Sequence, residues 1–236
     1  MSVTSSDSHC TAPRGDDAGA ATPRWTLVWE WPLRIWHWLF AVCIGASLYT
    51  GLAGDIALMD THLTLGYWAL GLVVFRLLWG LWGGPHARFA SYATTPRRIL
   101  AYFISGSGSG SGDGVRTPPG AALALTLLVL VALQAVAGLF TTDEIFTEGP
   151  LVDHASEAWV GFMSAAHHRI FWLVLAAIGV HLCAHVVYGL RRDPTPLSMF
   201  TGRKRVTAPA ARHRWGAALA TAGAAGAVVY LVLQLA

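Results

Sequence analysis

The sequence predicts an all-α integral membrane protein with five transmembrane helices, and three observations carry that prediction. Of its 236 residues, 54% are hydrophobic and only 12% are charged, about half the charged share of an average soluble domain. The apolar residues gather in five runs, each near the roughly 20 residues that a helix needs to cross a bilayer. Eleven Trp in so short a chain suit the membrane–water interface, where indole rings are enriched.

Residues 1–24 are rich in Ser, Ala, Gly, Pro and Asp, the composition of a disordered tail. No charged stretch followed by an apolar run and a small-residue cleavage site opens the chain. The first span is therefore expected to act as the insertion signal. Spans are predicted at 33–53, 63–83, 120–141, 167–189 and 214–235. The third and fifth are almost uninterrupted Ala, Leu, Val and Gly. The second contains Arg76, and the fourth contains His181 and His185. Polar groups inside a span are costly and by default mark a functional site. Between spans 2 and 3, residues 105–114 (SGSGSGSGDG) read as a flexible linker. No strand precedes them and no G-K-[ST] follows, which argues against a phosphate-binding loop.

The connecting loops predict the orientation. Asp55 and Asp60 lie between spans 1 and 2, and Asp143, Glu144, Glu148, Asp153 and Glu157 lie between spans 3 and 4, with no Lys or Arg in either loop. The opposite side carries Arg88, Arg97, Arg98 and Arg116, and then Arg191, Arg192, Arg203, Lys204, Arg205, Arg212 and Arg214. The positive-inside rule puts the N-terminus in the cytoplasm, both acidic loops outside and the C-terminus outside. A topology signal thus accounts for the net charge of +3, and nucleic acid is not implied. Cys10, Cys43 and Cys183 form no close pair, and C-x-x-C-H is absent. A disulfide, a zinc site and a conventional c-type haem attachment are all disfavoured.

Four of the ten histidines occupy unusual depths. His37 lies near the cytoplasmic entrance of span 1, and His62 and His167 open spans 2 and 4 at the outer surface. His181 follows His167 by fourteen residues, which is about 40° short of four full turns and about 21 Å along the axis. One helix thus offers two imidazoles on one face, one near each membrane surface. His62 shares the outer depth with His167, and His37 shares the inner depth with His181. Two such pairs suit two bis-histidine haems, because neutral imidazole is a strong haem-iron ligand and filling both axial positions favours electron transfer. A lone His at a span end is more often an interfacial polar residue. His168 is about 140° off the face of His181. His185 lies five full turns from His167, so periodicity leaves it level with His181. His9, His86, His154 and His213 are expected to be solvated.

Haem propionates need cationic partners at the membrane edge. Arg34 and Arg76 are placed for an inner haem and Arg169 for an outer one, with snorkelling the alternative for Arg34 and Arg169. Gly66, one turn after His62, admits a flat macrocycle close to the backbone. Helix packing is the default reading for it, as for Gly45, Gly71, Gly138 and Gly179.

Residues 28–38 (VWEWPLRIWHW) and 62–76 (HLTLGYWALGLVVFR) resemble the start of the bacterial di-haem cytochrome b family. That family includes cytochrome b561 and the b-type cytochrome subunit of nickel–iron hydrogenase. Residues 138–151 (GLFTTDEIFTEGPL), the span through His167 and His181, and residues 199–204 (MFTGRK) extend the resemblance over roughly 25–205. It implies a four-helix transmembrane haem bundle over 25–205, with 206–236 as an additional fifth helix. It also implies two haem b groups, with axial ligands at His37, His62, His167 and His181 and not at His185. Electron exchange is then expected between ubiquinone or menaquinone and a periplasmic redox partner, a c-type cytochrome or a hydrogenase-like subunit. The expected location is the bacterial inner membrane, with a homodimer as a candidate assembly. The Ser-Gly repeat and the fifth span depart from the family pattern. No proton-abstracting or nucleophilic constellation is visible, so an electron-transfer component is expected in preference to a stand-alone enzyme. The alternatives are a self-contained superoxide/quinone oxidoreductase and a haem-free membrane anchor or transporter.

Overall fold

The computed structural model describes residues 22–105, 114–143, 145 and 147–235. Most of the tail expected at 1–24, and the body of the linker expected at 105–114, lie outside the described residues. Five helices are long and apolar enough to cross a membrane: α1 (Trp31–Ala53), α2 (Met59–Trp82), α4 (Pro118–Gly138), α5 (Glu157–Leu190) and α7 (Trp215–Leu233). Shorter elements join them: a strand β1 (Arg24–Leu27), helices α3 (Pro96–Ser105) and α6 (Thr195–Thr201), and a strand β2 (Arg203–Val206).

Local chemistry sets the helix ends. Pro occupies the first turn of α1, where a missing N–H costs nothing, and Gly54 closes the helix at φ 62°, a left-handed cap that favours glycine. The Thr117 side chain caps α4 ahead of Pro118 by accepting from the Gly120 N–H, and Ser156 caps α5 by accepting from the Trp159 N–H. The Ser156 cap corrects the predicted start of the fourth span. The helix begins at Glu157, ten residues before His167, so His167 lies almost three turns inside it. Its 34 residues span about 51 Å, well beyond a hydrocarbon core of about 30 Å. Its length therefore exceeds what a single crossing requires.

Four helices, α1, α2, α4 and α5, share one apolar core built on Cys43, Ile44, Ala69, Val73, Val131 and Val174. At the end rich in Arg, a second core gathers Val28, Trp29, Leu33, Trp79, Val115 and Val206. There β1 pairs antiparallel with β2, Arg24 facing Val206 and Leu27 facing Arg203. Gly202, at φ 75°, turns its carbonyl to accept from the Val28 and Trp29 N–H groups at 2.9 and 3.0 Å. Buried Glu30 accepts from the Trp79 indole at 2.9 Å and from the Gly84 N–H at 3.1 Å, so one carboxylate joins α1, α2 and the loop after α2. His86, expected to be solvated, is 5% exposed. Its Nε2 donates to the Pro209 carbonyl at 2.8 Å, because the chain leading into α7 folds over it.

The fifth span, α7, packs on the outside of α2. The Trp82 indole donates to Thr221 Oγ1 at 2.9 Å, and Thr221 is 1% exposed. Thr221→Val preserves volume but removes the acceptor of that N–H, at a cost of about 0.5–1.5 kcal/mol. The expected result is a lower melting temperature in detergent, with α7 becoming sensitive to protease before the other four spans.

Candidate functional site

Between α1, α2, α4 and α5 lies a cavity of about 550 Å³, inside the range of about 300–1,000 Å³ typical of cofactor sites. Its walls are mainly apolar, with Ile44 and Leu48 from α1, Tyr67 from α2, Val131 from α4, and Phe171 and Val174 from α5. His62 and His167 both line it. Their ring centres are 6.2 Å apart and the rings are nearly perpendicular, at 87°.

Each ring is held by a neighbouring helix. His62 Nδ1 lies 3.1 Å from the Ser47 carbonyl and 3.0 Å from the Thr50 hydroxyl. His167 Nδ1 lies 3.0 Å from the Gln134 carbonyl. A carbonyl only accepts, so both Nδ1 atoms carry their hydrogens, and each Nε2 keeps a lone pair. That tautomer is the one a ligating imidazole needs, with the second nitrogen anchored in a backbone hydrogen bond. Glycine makes the approach possible. A Cβ on Gly51 would stand 3.1 Å from His62 Cε1, and one on Gly138 would stand 3.1 Å from His167 Cε1.

At the other end of the bundle the geometry is less complete. His37 lies in the electrostatic neighbourhood of both His181 and His185. The His181 and His185 rings stand edge to face at 4.5 Å. The Nδ1 atoms of His37 and His185 are buried without a hydrogen-bond partner, and so is Nη1 of Arg76. The Arg76 guanidinium sits among Trp36, Phe89 and Tyr92, 4.9–5.6 Å from their ring centres. Arg34 is buried over the Trp31 ring, and its Nε donates to the Met199 carbonyl at 3.0 Å, which ties α1 to α6. Arg169, expected beside the outer pair, is exposed and absent from the cavity wall. Two residues along a helix turn it about 200° from His167. The polar lining there comes instead from Thr141, Asp143, Thr147 and His168.

The residues fit a metal that brings its own planar ligand. Metal–imidazole bonds of about 2.0–2.1 Å, plus about 1.1 Å from each nitrogen to its ring centre, put two axial rings about 6.3 Å apart. The pair His62 and His167 stands at 6.2 Å. Among the described residues no three His, Cys, Asp or Glu side chains converge on one point, so a bare ion would find only two donors. Gly66 lines the cavity, and a Cβ placed there would meet nothing within 4 Å. Its flat, open wall suits a macrocycle better than the helix packing assigned to it by default.

A bundle of membrane-spanning helices with paired imidazoles across an apolar cavity defines a membrane cofactor protein. The family model described as prokaryotic cytochrome b561 matches residues 28–202, and the chain belongs to that family. No curated protein and no solved structure matches the chain. Membership makes it a multi-pass membrane protein with the family's four-helix haem bundle, working in electron transfer through haem b.

Three features of the site escaped sequence reasoning: the carbonyls of Ser47 and Gln134 that orient the rings, and the contact of Gly51 with His62. Gly51 carries no local signal, since its partner lies on another helix.

Filling the open wall separates cofactor binding from folding. Gly66→Leu is expected to lower the haem content of the purified protein severalfold. The melting temperature of the haem-free form should change by less than the equivalent of about 0.5 kcal/mol, since nothing stands within 4 Å to clash.

Proposed function

We propose that the protein carries electrons across the membrane through two haem b groups, one held by His62 and His167 and the other by His37 and His181. The electrons pass between the quinone pool, ubiquinone or menaquinone, and a periplasmic redox partner. The 6.2 Å separation of the anchored His62 and His167 rings is the single observation that carries this reading. When bound, haem would supply one-electron redox chemistry at its iron.

The chain's own residues then have distinct tasks. Ser47 and Gln134 hold the outer imidazoles in the ligating tautomer. Gly51, Gly66 and Gly138 leave room for rings and macrocycle. The apolar wall excludes water, which favours electron exchange over ligand chemistry. At the inner end, Arg76 offers a buried guanidinium with one unpartnered nitrogen, suited to a propionate. The inner pair follows the family resemblance in taking His181. His185, one turn further, stands close enough to His181 to compete for the same place.

The positive-inside rule supports an orientation with the N-terminus cytoplasmic and the His62–His167 cavity facing the periplasm. Asp55, Asp60, Asp143, Glu148, Asp153 and Glu157 are exposed around that end. Such a surface favours docking of a cationic protein such as a c-type cytochrome, which makes it the preferred partner over a small anion such as superoxide.

His62→Ala or His167→Ala is expected to reduce two haems per chain to one, with the remaining haem still reducible. Loss of both haems from a bundle that retains its helical content would sink the pairing. His181→Ala should remove the other haem while His185→Ala keeps both, read from the pyridine haemochrome ratio to protein. Electron transfer from the reduced protein to a basic c-type cytochrome should slow by roughly tenfold between low and high salt. A salt-independent rate would argue against the acidic docking face.

A further inference from the structure

Helix α1 meets the His62 ring with three residues, Ser47, Thr50 and Gly51, whose i, i+3, i+4 spacing puts them on one face. A Cβ on Gly51 would stand 3.1 Å from His62 Cε1 and 3.5 Å from its Nδ1, so the ring lies almost against the backbone of α1. Thr50 is the buried member of the three, at 4% exposed. It is absent from the cavity wall, so whatever it does at the site it does through His62.

A Thr inside a helix ordinarily gives its hydroxyl hydrogen to a carbonyl one turn back. Thr50 follows that habit, with Oγ1 at 3.1 Å from the Ala46 carbonyl and 3.1 Å from the Ser47 carbonyl. The bond uses the single hydroxyl hydrogen and leaves lone pairs on the oxygen. His62 Nδ1 lies 3.0 Å from this oxygen and 3.1 Å from the Ser47 carbonyl. The opposite tautomer would set two acceptors, Nδ1 and that carbonyl, against each other, so Nδ1 keeps its hydrogen. Thr50 Oγ1 is then a second acceptor for the same N–H. Ser47 accounts for the tautomer by itself, and the second acceptor has a separate consequence.

We infer that Thr50 tunes the reduction potential of the outer haem through His62, holding it lower than the Ser47 carbonyl alone would. Two acceptors draw the Nδ1 hydrogen from the ring more strongly than one, and hydrogen bonds in series reinforce each other in a low dielectric. The ring gains anionic character, and Nε2 becomes a stronger donor to a metal. Stronger axial donation favours ferric over ferrous iron, and hydrogen bonding around the ligand is one of the levers a protein has on haem potential. This role rests on the reading that His62 and His167 hold haem.

Redox titration of the full haem-loaded chain in detergent, followed at the haem α band, tests it. Thr50→Val keeps the size of the side chain and removes the acceptor. It is expected to retain both haems and to raise one of the two midpoint potentials. The ferrous-to-ferric ratio of that haem at a fixed potential should rise by roughly three- to tenfold, an upward shift of about 28–59 mV. The same shift should persist when His181→Ala is added, which assigns it to the outer haem. Thr50→Ser keeps the hydroxyl and should titrate like the unaltered chain. Thr50→Cys, a weaker acceptor, should shift in the same direction by less, and it decides the matter if Thr50→Val fails to retain haem. An unmoved or lowered potential overturns the role, and so does an equal shift in Thr50→Ser, which would mark a packing effect. If His62→Ala keeps both haems, the haem assignment itself falls, a result distinct from an unmoved potential in a chain whose His62→Ala variant loses one.

Discussion

An imidazole inside a membrane must satisfy its N–H without water, and this bundle is arranged around that requirement. His62 and His167 each direct Nδ1 to a main-chain carbonyl of an adjacent helix, Ser47 of α1 and Gln134 of α4. A helical carbonyl has a second lone pair beyond the one used in its own helix, so the bond needs no break in α1 or α4. Each bond is also an inter-helix tie, joining α2 to α1 and α5 to α4. The cavity is the space left between those two ties. The free lone pairs fall to the two Nε2 atoms, because both Nδ1 atoms are already committed.

Close approach is the second condition, and it falls on glycine. Gly51 and Gly138 lie against the edges of the two rings with no room for a methyl group at ordinary contact. A methyl at either place would turn the imidazole away from the facing ring and lengthen a separation of 6.2 Å. Gly66 plays the opposite part, since nothing opposes it and the absent side chain becomes volume in the cavity. One residue type thus serves ring contact at two positions and open space at a third.

The Arg-rich end is organised by polar contacts among distant segments. Glu30 joins α1 to Trp79 and to the loop after α2, Arg34 joins α1 to α6, and Gly202 receives the chain just before α1. His37 lies in the helix that these contacts anchor, two turns after Glu30, so they help to set its place in the bundle. The fifth span is fixed separately, through Trp82 and Thr221, and leaves the four-helix cavity intact.

The number of spans and their order were determined by the sequence alone, because hydropathy is a local property. The shared face of His167 and His181 was legible too, because helical period is also local. Tertiary structure decided what depends on a partner elsewhere in the chain. Strand β1 is extended because Arg203–Val206 returns to pair with it, and His86 is buried because the segment before α7 covers it. Arg169 left the site because its own helix turns it away, a phase that depth alone had hidden. The early start of α5 at Glu157 followed from the Ser156 cap, which a search for apolar runs does not register. Helical period left His181 and His185 level, one turn apart on one face. The tautomers of His62 and His167 became visible only in the fold, since a ring's protonation depends on the acceptor facing it, and that acceptor belongs to a different helix.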